Sequence, residues 1–412
     1  MRYSSTFMAT GLLLVTMQLS AQQKQGMAYA ITSSEKGNFN WTDVKQIDFT
    51  TGSVTRSIFD SKQTNFTVYN ARTGKEIKPV TTQNGVTTNV TIPVASLSAA
   101  CAYDQRHNRL YYAPLFMNQL RYIDLDEAAP KIYYFDNEPF IPVTDVNNEA
   151  NHITRMVIGA DGDGYALSND ANHLIRFTTG RKPVITDLGS LKDDLANEGK
   201  SIHEKTTSWG GDMIADAAGN LYVISAFRQV FKVNIQSKVA TWIAEIQGMP
   251  AGFTTNGTVV DNDGQLIVSS ANTAEGYYKV DMHSWQATRI DIKGTVFNAS
   301  DLANGNLAFA SNKNTVPLIN RAIIRNEKIA LYPNPVATNL VYVSFNSKES
   351  GRYTIQLVDL TGKIISEKIV VVGNGGQVIA VNVKNGLAKG PYMLKVLSNS
   401  KKTVFTDKLI VE

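Results

Sequence analysis

The side chains that most often carry chemistry are scattered along this 412-residue chain. Its five histidines form no His-x-His or His-Glu-x-x-His pair, so the spacing of a helical zinc site is absent. No serine stands in a Gly-x-Ser-x-Gly phrase, and the sequence predicts no catalytic residue. The single cysteine, Cys101, lies in an apolar run and is predicted to be a small core residue. One cysteine also excludes an intramolecular disulfide and a multi-cysteine zinc site.

Two acidic phrases, at 161–164 (Asp-Gly-Asp-Gly) and 261–264 (Asp-Asn-Asp-Gly), look like fragments of calcium-binding loops. A complete EF-hand loop would place a bidentate glutamate at its twelfth position, where this chain has Asn172 and Asn272. Both phrases recur where a turn is expected between two apolar runs. We therefore predict hairpin turns at these places.

Two further residues, His152 and Trp209, stand just before apolar runs that begin new strands. Loops at the mouth of a strand often carry binding residues, and an indole ring there can stack on a sugar or a peptide. The competing interpretation is a hydrogen-bonded loop histidine and an indole packed between sheets. Both residues are candidates for a ligand-binding rim.

Composition restricts the class of protein that positions these residues. Apolar residues make up 43% of the chain and charged residues 18%, with a formal net charge of +4. That balance excludes a strongly basic nucleic-acid binder and a polyacidic tail protein. After the first apolar stretch no window approaches the about 20 apolar residues that span a bilayer, so no transmembrane segment is predicted.

The chain begins with the pattern of a secretory signal peptide at 1–21. Arg2 supplies a positive charge, an apolar stretch follows at 7–19, and Ser20 and Ala21 are small residues at a cleavage point. The alternative is a buried helix or a membrane anchor. The apolar stretch is shorter than a membrane span, which favours the signal peptide and passage into the periplasm.

From 28 to 324, short apolar runs alternate with Asp, Asn and Gly turns, which indicates β-strands. One phrase recurs, clearest at 213–223: an apolar strand, an Asp, a Gly/Asn turn and a second apolar strand. Third and fourth strands follow most copies. Four strands per unit of roughly 40 to 55 residues is the period of a propeller blade. The second strands align on Leu110, Tyr165, Leu221, Leu266 and Leu307.

These units resemble the blades of six-bladed β-propellers of the NHL and regucalcin/gluconolactonase type, on phrases such as Gly-Asn-Leu-Tyr-Val at 219–223. We predict that residues 22–325 form a propeller of six blades, with seven as the alternative. The N-terminal unit lacks a first strand and the last unit, at 296–309, has one. The ring is therefore expected to close by pairing strands from both ends, while residues 61–96 form an irregular insert or an extra hairpin.

The resemblance to gluconolactonases implies a divalent cation held in the central channel by carboxylate and amide oxygens. The phrase at 210–216 resembles their Pro-Asp-Gly phrase and implies Asp212 as a ligand. The phrase at 256–261 resembles their Asn-Gly phrase and implies Asn256. The two phrases stand in the reverse of the family order, and the Gly-Glu-Gly-Pro phrase is missing. The cofactor is therefore left unknown, with a channel cation as the alternative.

A new module begins at residue 326. Two prolines bracket an asparagine at 333–335, and about seven short strands are predicted in the module. So many strands in so few residues predict a small immunoglobulin-like β-sandwich at 326–412. Its four motifs are an opening phrase, a central hairpin turn, a glycine before a long strand and a terminal Lys-Leu pair. The residues are Tyr332, Pro333, Asn334, Pro335, Asp359, Gly362, Lys363, Gly390, Lys408 and Leu409.

This order of motifs is similar to the type A C-terminal sorting domain of the type IX secretion system of Bacteroidetes. The resemblance implies export as folded cargo, with the secretion machinery and its sortase as partners and attachment to surface lipopolysaccharide as a frequent outcome. It places the protein outside the cell or on the outer surface, via the periplasm. The alternative is an ordinary immunoglobulin-like binding module.

The whole pattern predicts a secreted all-β protein whose propeller binds a ligand. The expected ligand is an extracellular protein or glycan, and no nucleic-acid partner is predicted. Whether the ring is an enzyme is left open, with the balance toward a non-catalytic binding module. The alternative is a divalent-metal-dependent lactonase or esterase of the gluconolactonase type.

Overall fold

The computed structural model describes residues 26–62, 67–77, 97–126, 129–180, 183–309, 329–332, 336, 340–345, 350–373, 377–383 and 387–411. The predicted signal peptide, the predicted boundary at 325/326 and the motif residues Pro333, Asn334 and Pro335 lie outside these ranges. Among the described residues, no helix combines the length and the apolar character needed to cross a membrane.

The part before residue 310 is built from short β-strands with two single-turn helices. The helices are a 3-10 helix at Glu149–Asn151 and α1 at Lys205–Ser208. The strands are β1 (Met27–Thr32), β2 (Asp43–Asp48), β3 (Ser53–Phe59), β4 (Val68–Asn70), β5 (Ser98–Asp104), β6 (Arg109–Pro114), β7 (Arg121–Asp124), β8 (Lys131–Tyr134), β9 (Ile153–Ile158), β10 (Gly164–Ser168), β11 (Leu174–Phe177), β12 (Ile185–Asp187), β13 (Lys192–Asp193), β14 (Asp212–Ala215), β15 (Asn220–Ile224), β16 (Gln229–Asn234), β17 (Val239–Glu245), β18 (Gly257–Val260), β19 (Leu266–Ser269), β20 (Tyr278–Val280), β21 (Ala287–Arg289) and β22 (Ala299–Ala303).

These strands form five sheets, which we number as blades along the chain. From the ring axis outward, blade 1 is β22-β1-β2-β3, blade 2 is β5-β6-β7-β8-β4 and blade 3 is β9-β10-β11-β12. Blade 4 is β14-β15-β16-β17-β13, and blade 5 is β18-β19-β20-β21. The innermost strands contact one another in the cyclic order β22, β5, β9, β14, β18 and back to β22. The fold is therefore a closed β-propeller, as predicted.

The apolar residues of each blade are buried against the next blade. Five separate hydrophobic clusters lie between neighbouring blades, and one of them joins blade 5 to blade 1. Inner strands such as β14 are buried throughout, whereas the outer strands β12, β13 and β21 are largely exposed. Stacking the sheets in a ring buries both apolar faces of each one.

The prediction of six blades was wrong for the described residues, which form five. It counted the N-terminal unit and the last unit separately, but β1 and β22 pair within one sheet, with Tyr29 opposite Ala303. Closure by strands from both ends is thus confirmed, and it removes one blade from the count. The segment expected to be a second strand around Leu307 leaves the sheet, since Ala308 forms a bridge with Asp216 of blade 4.

The C-terminal part is a sandwich of two antiparallel sheets, as predicted. One sheet has the order β23-β24-β27 and the other β26-β25-β28-β29, and both contribute to a single apolar core. The strands are β23 (Ile329–Tyr332), β24 (Leu340–Phe345), β25 (Gly351–Val358), β26 (Ile364–Val372), β27 (Gln377–Asn382), β28 (Gly390–Ser398) and β29 (Thr403–Val411).

The described sorting-motif residues lie at turns and strand ends of this sandwich. Tyr332 ends β23 and Gly390 begins β28 with φ of 140°. The Asp359 carboxylate accepts hydrogen bonds from the backbone N–H groups of Thr361 and Lys363 at 2.9 and 3.0 Å, and Gly362 completes the turn with φ of 89°. The last two motif residues lie in β29, where Leu409 is fully buried in the core and Lys408 is exposed.

Candidate functional site: the ring axis and the strand-start face

The five innermost strands begin at one end of the ring, which we call the strand-start face. Ser300, near the start of β22, donates a hydrogen bond to the carbonyl of Ser98 at the start of β5, at 2.7 Å. Near the start of β18, the backbone N–H of Thr258 donates to the carboxylate of Asp212, the first residue of β14, at 2.6 Å. Each blade thus delivers the first residues of its inner strand to a shared axis.

Blade 3 contributes a fully buried arginine to this axis. The Arg155 guanidinium donates to the carbonyl oxygens of Gly210 at 2.9 Å, of Ser168 at 3.2 Å and of Ser208. Burial lowers its pKa to about 10, so it stays charged at neutral pH. A buried charge is tolerated when its hydrogen bonds are satisfied, and these carbonyls tie blade 3 to the segment that precedes blade 4.

Two carboxyl groups from blades 4 and 1 meet at the axis, and both are fully buried. Asp212 accepts hydrogen bonds from the backbone N–H groups of Met213 and Thr258, both at 2.6 Å. The Asp301 carboxyl is its neighbour, and Asp301 Oδ2 is buried and accepts no hydrogen bond from the described residues. Burial raises the pKa of Asp212 to about 8, and burial together with the neighbouring Asp212 raises the pKa of Asp301 far above its usual value. Two neighbouring buried carboxyls are not both ionised, so at least one of them keeps a proton.

The proton of this pair is best assigned to Asp301. Two backbone N–H bonds lower the pKa of Asp212, whereas both burial and the neighbouring Asp212 raise the pKa of Asp301, so Asp301 holds its proton more strongly. On its other side the Asp301 carboxyl accepts a hydrogen bond from the Cys101 thiol of blade 2 at 3.0 Å. Burial raises the pKa of Cys101, which keeps it a thiol. The predicted burial of Cys101 is confirmed, and its hydrogen bond is an addition that the sequence did not reveal.

The two implied metal ligands do not converge on one point. Both Asp212 oxygens accept backbone N–H groups, and the Asn256 side-chain oxygen accepts from the backbone N–H of Ala271 at 3.1 Å. Among the described residues, no group of three His, Cys, Asp or Glu side chains is arranged to hold a metal ion. A divalent cation needs several free convergent oxygens, so the residues at the axis do not fit that group.

The end opposite the strand-start face is crossed by the chain that follows β22. The amides of Asn304 and Asn306 both donate to the carbonyl of Val260 in blade 5, at 2.8 and 2.7 Å. Ala308 then donates to the carbonyl of Ala215 in blade 4 at 2.9 Å. This segment therefore covers the inner-strand ends of two blades.

The two rim candidates lie at the strand-start face, as their place before β9 and β14 indicates. His152 is buried, with Nε2 3.0 Å from the Val146 carbonyl and the ring of Phe116 at 4.8 Å. Trp209 is half-buried and its indole N–H donates to the carbonyl of His203 at 2.9 Å. His152 thus packs in a loop, and Trp209 keeps part of its ring at the surface.

The same face carries an aromatic pattern that sequence reasoning mostly missed. Phe39, Phe116 and Phe227 are 53%, 44% and 48% exposed. Each lies in the loop between the second and third strands of its blade, counted from the axis, in blades 1, 2 and 4. The available signal was a large apolar residue at a position where turn residues are expected.

The acidic phrases form turns, as predicted. Asp163 pairs with Arg176, and Tyr165 donates its hydroxyl proton to Asp161 at 2.6 Å. Lys279 pairs with the Asp261 carboxylate at 2.8 Å. The carboxylates are therefore engaged by side chains of their own blades.

The C-terminal part matches a known family. Residues 330–412 fit the family described as the secretion system C-terminal sorting domain. The chain is a type IX secretion cargo. This sorting domain directs export to the cell surface or the extracellular space and implies interaction with the secretion machinery. Among curated proteins, no match to the chain was found.

Several solved structures are similar to the chain in outline. PorZ, a surface component of the type IX secretion system of Porphyromonas gingivalis, is 13% identical with a TM-score of 0.31, covering 92% of this chain and 51% of PorZ. The chain therefore spans about half the length of PorZ. A putative 6-phosphogluconolactonase from Bacteroides uniformis is 9% identical with a TM-score of 0.34, covering 68% of this chain and 99% of that one. A gluconolactonase from Xanthomonas campestris is 11% identical with a TM-score of 0.31, covering 74% and 84%. The propeller assignment rests on the sheet topology described above.

Proposed function

We propose that the exported protein is a non-catalytic binding module whose ligand contacts the strand-start face. The observation that carries the proposal is the packing of the axis. Arg155, Asp212, Asp301 and Cys101 come from four blades and engage one another or nearby backbone groups there. Catalytic groups need an open position for a substrate, whereas Arg155, Asp212 and Cys101 are already bonded to the protein.

The exposed phenylalanines support the same proposal. Large apolar side chains on the surface of a soluble protein mark interaction sites when they gather on one face. Phe39, Phe116 and Phe227 share one face and one structural position, which is unlike scattered surface residues. Loops at one end of a rigid ring are also where binding residues concentrate.

Photo-crosslinking on living producer cells tests this role. p-Benzoylphenylalanine replaces Phe116 in one variant and Val54, an exposed residue of the outer strand β3, in the control. A defined adduct from position 116 and none from position 54 is the expected result. No adduct from position 116, or equal adducts from both, would overturn the proposal.

The lactonase or esterase alternative is tested on the same purified protein. A stoichiometric divalent cation, or lactone hydrolysis that Asp212→Ala abolishes, would establish the enzyme and overturn the non-catalytic proposal. Absence of both the metal and the hydrolysis is the expected result.

We further propose that a sortase removes the sorting domain and that the ring is then attached to surface lipopolysaccharide. Deleting residues 326–412 is expected to leave the ring in the periplasm. The wild-type surface form is expected to end near residue 325 and to carry a heterogeneous added mass. A surface form that retains the sandwich would contradict the removal, and a single unmodified mass would contradict the attachment.

A further inference from the structure

The exposed apolar side chains of the sandwich gather on one of its two outward faces. Each sheet turns alternate residues inward to the core, so the residues between them point outward. In the sheet β26-β25-β28-β29, Ile369, Val371 and Val404 are 56%, 71% and 47% exposed. Among the described side chains of the other sheet, β23-β24-β27, no large apolar one is exposed to this degree. The two outward faces therefore differ in chemistry.

These side chains form a continuous row across the four strands. Ile369 in β26 stands opposite Thr354 in β25, which stands opposite Leu397 in β28. Leu397 is half-buried and pairs with the start of β29, beside Val404. Val371 lies two residues from Ile369 on the same side of β26. Since side chains directly opposite on neighbouring strands have Cβ atoms about 5 Å apart, we treat these residues as one surface, the apolar row: Ile369, Val371, Leu397 and Val404.

The rim of the apolar row is positively charged. Arg352 stands opposite Val371 on the outward face, and Lys401 and Lys402 are exposed in the turn that joins β28 to β29 at the same end of the sheet. Within the described residues none of these three cations forms an ion pair. Glu367, at the next outward position of β26, already accepts a hydrogen bond from a glutamine of β25 at 2.6 Å. A complementary surface is therefore apolar with carboxylates at its edge.

The family match and this chemistry together indicate which partner covers the row. Residues 330–412 fit the sorting domain, which implies interaction with the secretion machinery, and a folded sandwich can be recognised only through its surface. The outward face of the other sheet offers no comparable apolar anchor among its described side chains. A second copy of the chain is disfavoured, because a two-fold contact centred on the row would bring the cations of both copies together.

We propose that the secretion machinery binds the sorting domain through the apolar row, with carboxylates of the machinery near Arg352, Lys401 and Lys402. The described motif residues lie apart from this contact: the turn at Asp359 is at the opposite end of β25, and Leu409 is in the core. The row therefore adds a contact that the motifs do not contain. Binding at this face is independent of the ligand of the ring.

Photo-crosslinking during export from producing cells tests this contact. p-Benzoylphenylalanine replaces Val371 in one variant and Ala380, exposed on the outward face of β27, in the control. Both positions are exposed, so the label should leave the fold intact. The expected result is an adduct from position 371 with a protein of the secretion machinery, identified by mass spectrometry, and none from position 380.

The rate of export of the full chain measures what the contact contributes. Ile369→Thr with Val371→Thr keeps β-branched side chains in β26 but replaces exposed apolar surface. We expect the pulse-labelled chain to reach the cell surface about tenfold more slowly, with the remainder in the periplasm. Ala380→Ser with Asn382→Ser, on the outward face of the other sheet, is the control and should export at the wild-type rate. Limited proteolysis of each purified full chain verifies that its sandwich is folded.

A second variant tests the charged rim. Arg352→Gln with Lys401→Gln and Lys402→Gln should slow export about fivefold, because charges at the rim of an interface contribute less than its apolar centre. Export of this variant at the wild-type rate would refute the acidic character of the partner surface.

Three results would overturn the proposal as a whole. The first is export of the folded double threonine variant at the wild-type rate. The second is the absence of an adduct from position 371, or equal adducts from positions 371 and 380. The third is an adduct from position 371 that contains only lipid or a second copy of this chain, since either would assign the apolar row to another partner.

Discussion

Replacing Asp301 by asparagine is expected to stabilise the ring at neutral pH. Asp301 and Asp212 are fully buried neighbours, so the folded chain must keep a proton that the unfolded chain releases. Asparagine has nearly the same shape. Its N–H group can donate to Asp212 in place of that proton, and its carbonyl oxygen can still accept from the Cys101 thiol.

The size of the effect follows from the raised pKa of Asp301. Burial and the neighbouring Asp212 raise this pKa well above 3.8. A raised folded-state pKa means that the stability is fully present below 3.8 and is lost as the pH rises above it. Each pH unit above 3.8 at which the folded chain keeps this proton costs about 1.4 kcal/mol, which is about 4 kcal/mol by pH 7. At pH 5 the corresponding loss is about 2 kcal/mol.

Urea unfolding followed by tryptophan fluorescence measures this effect in the full chain. All four tryptophans, Trp41, Trp209, Trp242 and Trp285, precede the sandwich, so the signal reports the ring. The Asp301→Asn variant should exceed the wild type by about 4 kcal/mol at pH 7 and by about half of that at pH 5. Asp263→Asn is the control, since its side chain is 79% exposed in a turn, and it should change little at either pH.

A gain that does not grow with pH would refute the reasoning. If the stability of Asp301→Asn runs parallel to that of the wild type from pH 5 to pH 8, the pair binds no extra proton in the folded state. If the variant is less stable than the wild type at pH 7, the contacts of the Asp301 carboxyl stabilise the ring by more than the retained proton destabilises it.

Three further substitutions test the packing. Gly211→Ala should destabilise the ring by more than about 3 kcal/mol in the same urea assay, because Gly211 has φ of 86° and an added Cβ would lie 1.9 Å from the carbonyl oxygen of Ile224. Arg155→Met should lower ring stability by about 3 kcal/mol, since it leaves buried carbonyls without donors, and a stability equal to the wild type would contradict this. Leu409→Ala should destabilise the sandwich by about 2 to 5 kcal/mol and increase its cleavage in limited proteolysis, whereas the exposed Lys408→Ala should leave cleavage unchanged.

Much of the fold could be predicted because its signals are local. The Asp216 carboxylate accepts the backbone N–H groups of Ala218 and Asn220 at 2.9 and 2.8 Å, within five residues of chain, so the turn is visible in the sequence. The same holds for the turn at Asp359 in the sandwich. Alternation of apolar residues then predicts the strands between such turns.

The candidate site was predictable only in part. His152 and Trp209 precede the innermost strands β9 and β14. Because all innermost strands begin at the same face of the ring, their positions in the sequence indicated the correct face. Asn256 shows the limit of a short phrase, since its side-chain oxygen binds the N–H of Ala271 in its own blade. For the phenylalanines of the strand-start face the one signal was a large apolar residue among turn residues, which does not predict exposure because apolar residues in a sequence are expected to be buried.

The sequence by itself determined the turns, the strands, the sandwich and the route of export, all of which depend on residues close together in the chain. The tertiary structure alone decided that five blades close the ring and that Asp212, Asp301 and Cys101 meet at its axis. Each of these three residues stands on a different blade. Which side chains face one another at the axis depends on the number of blades in the ring. That number is fixed when β22 pairs with β1, which lies about 270 residues earlier in the chain.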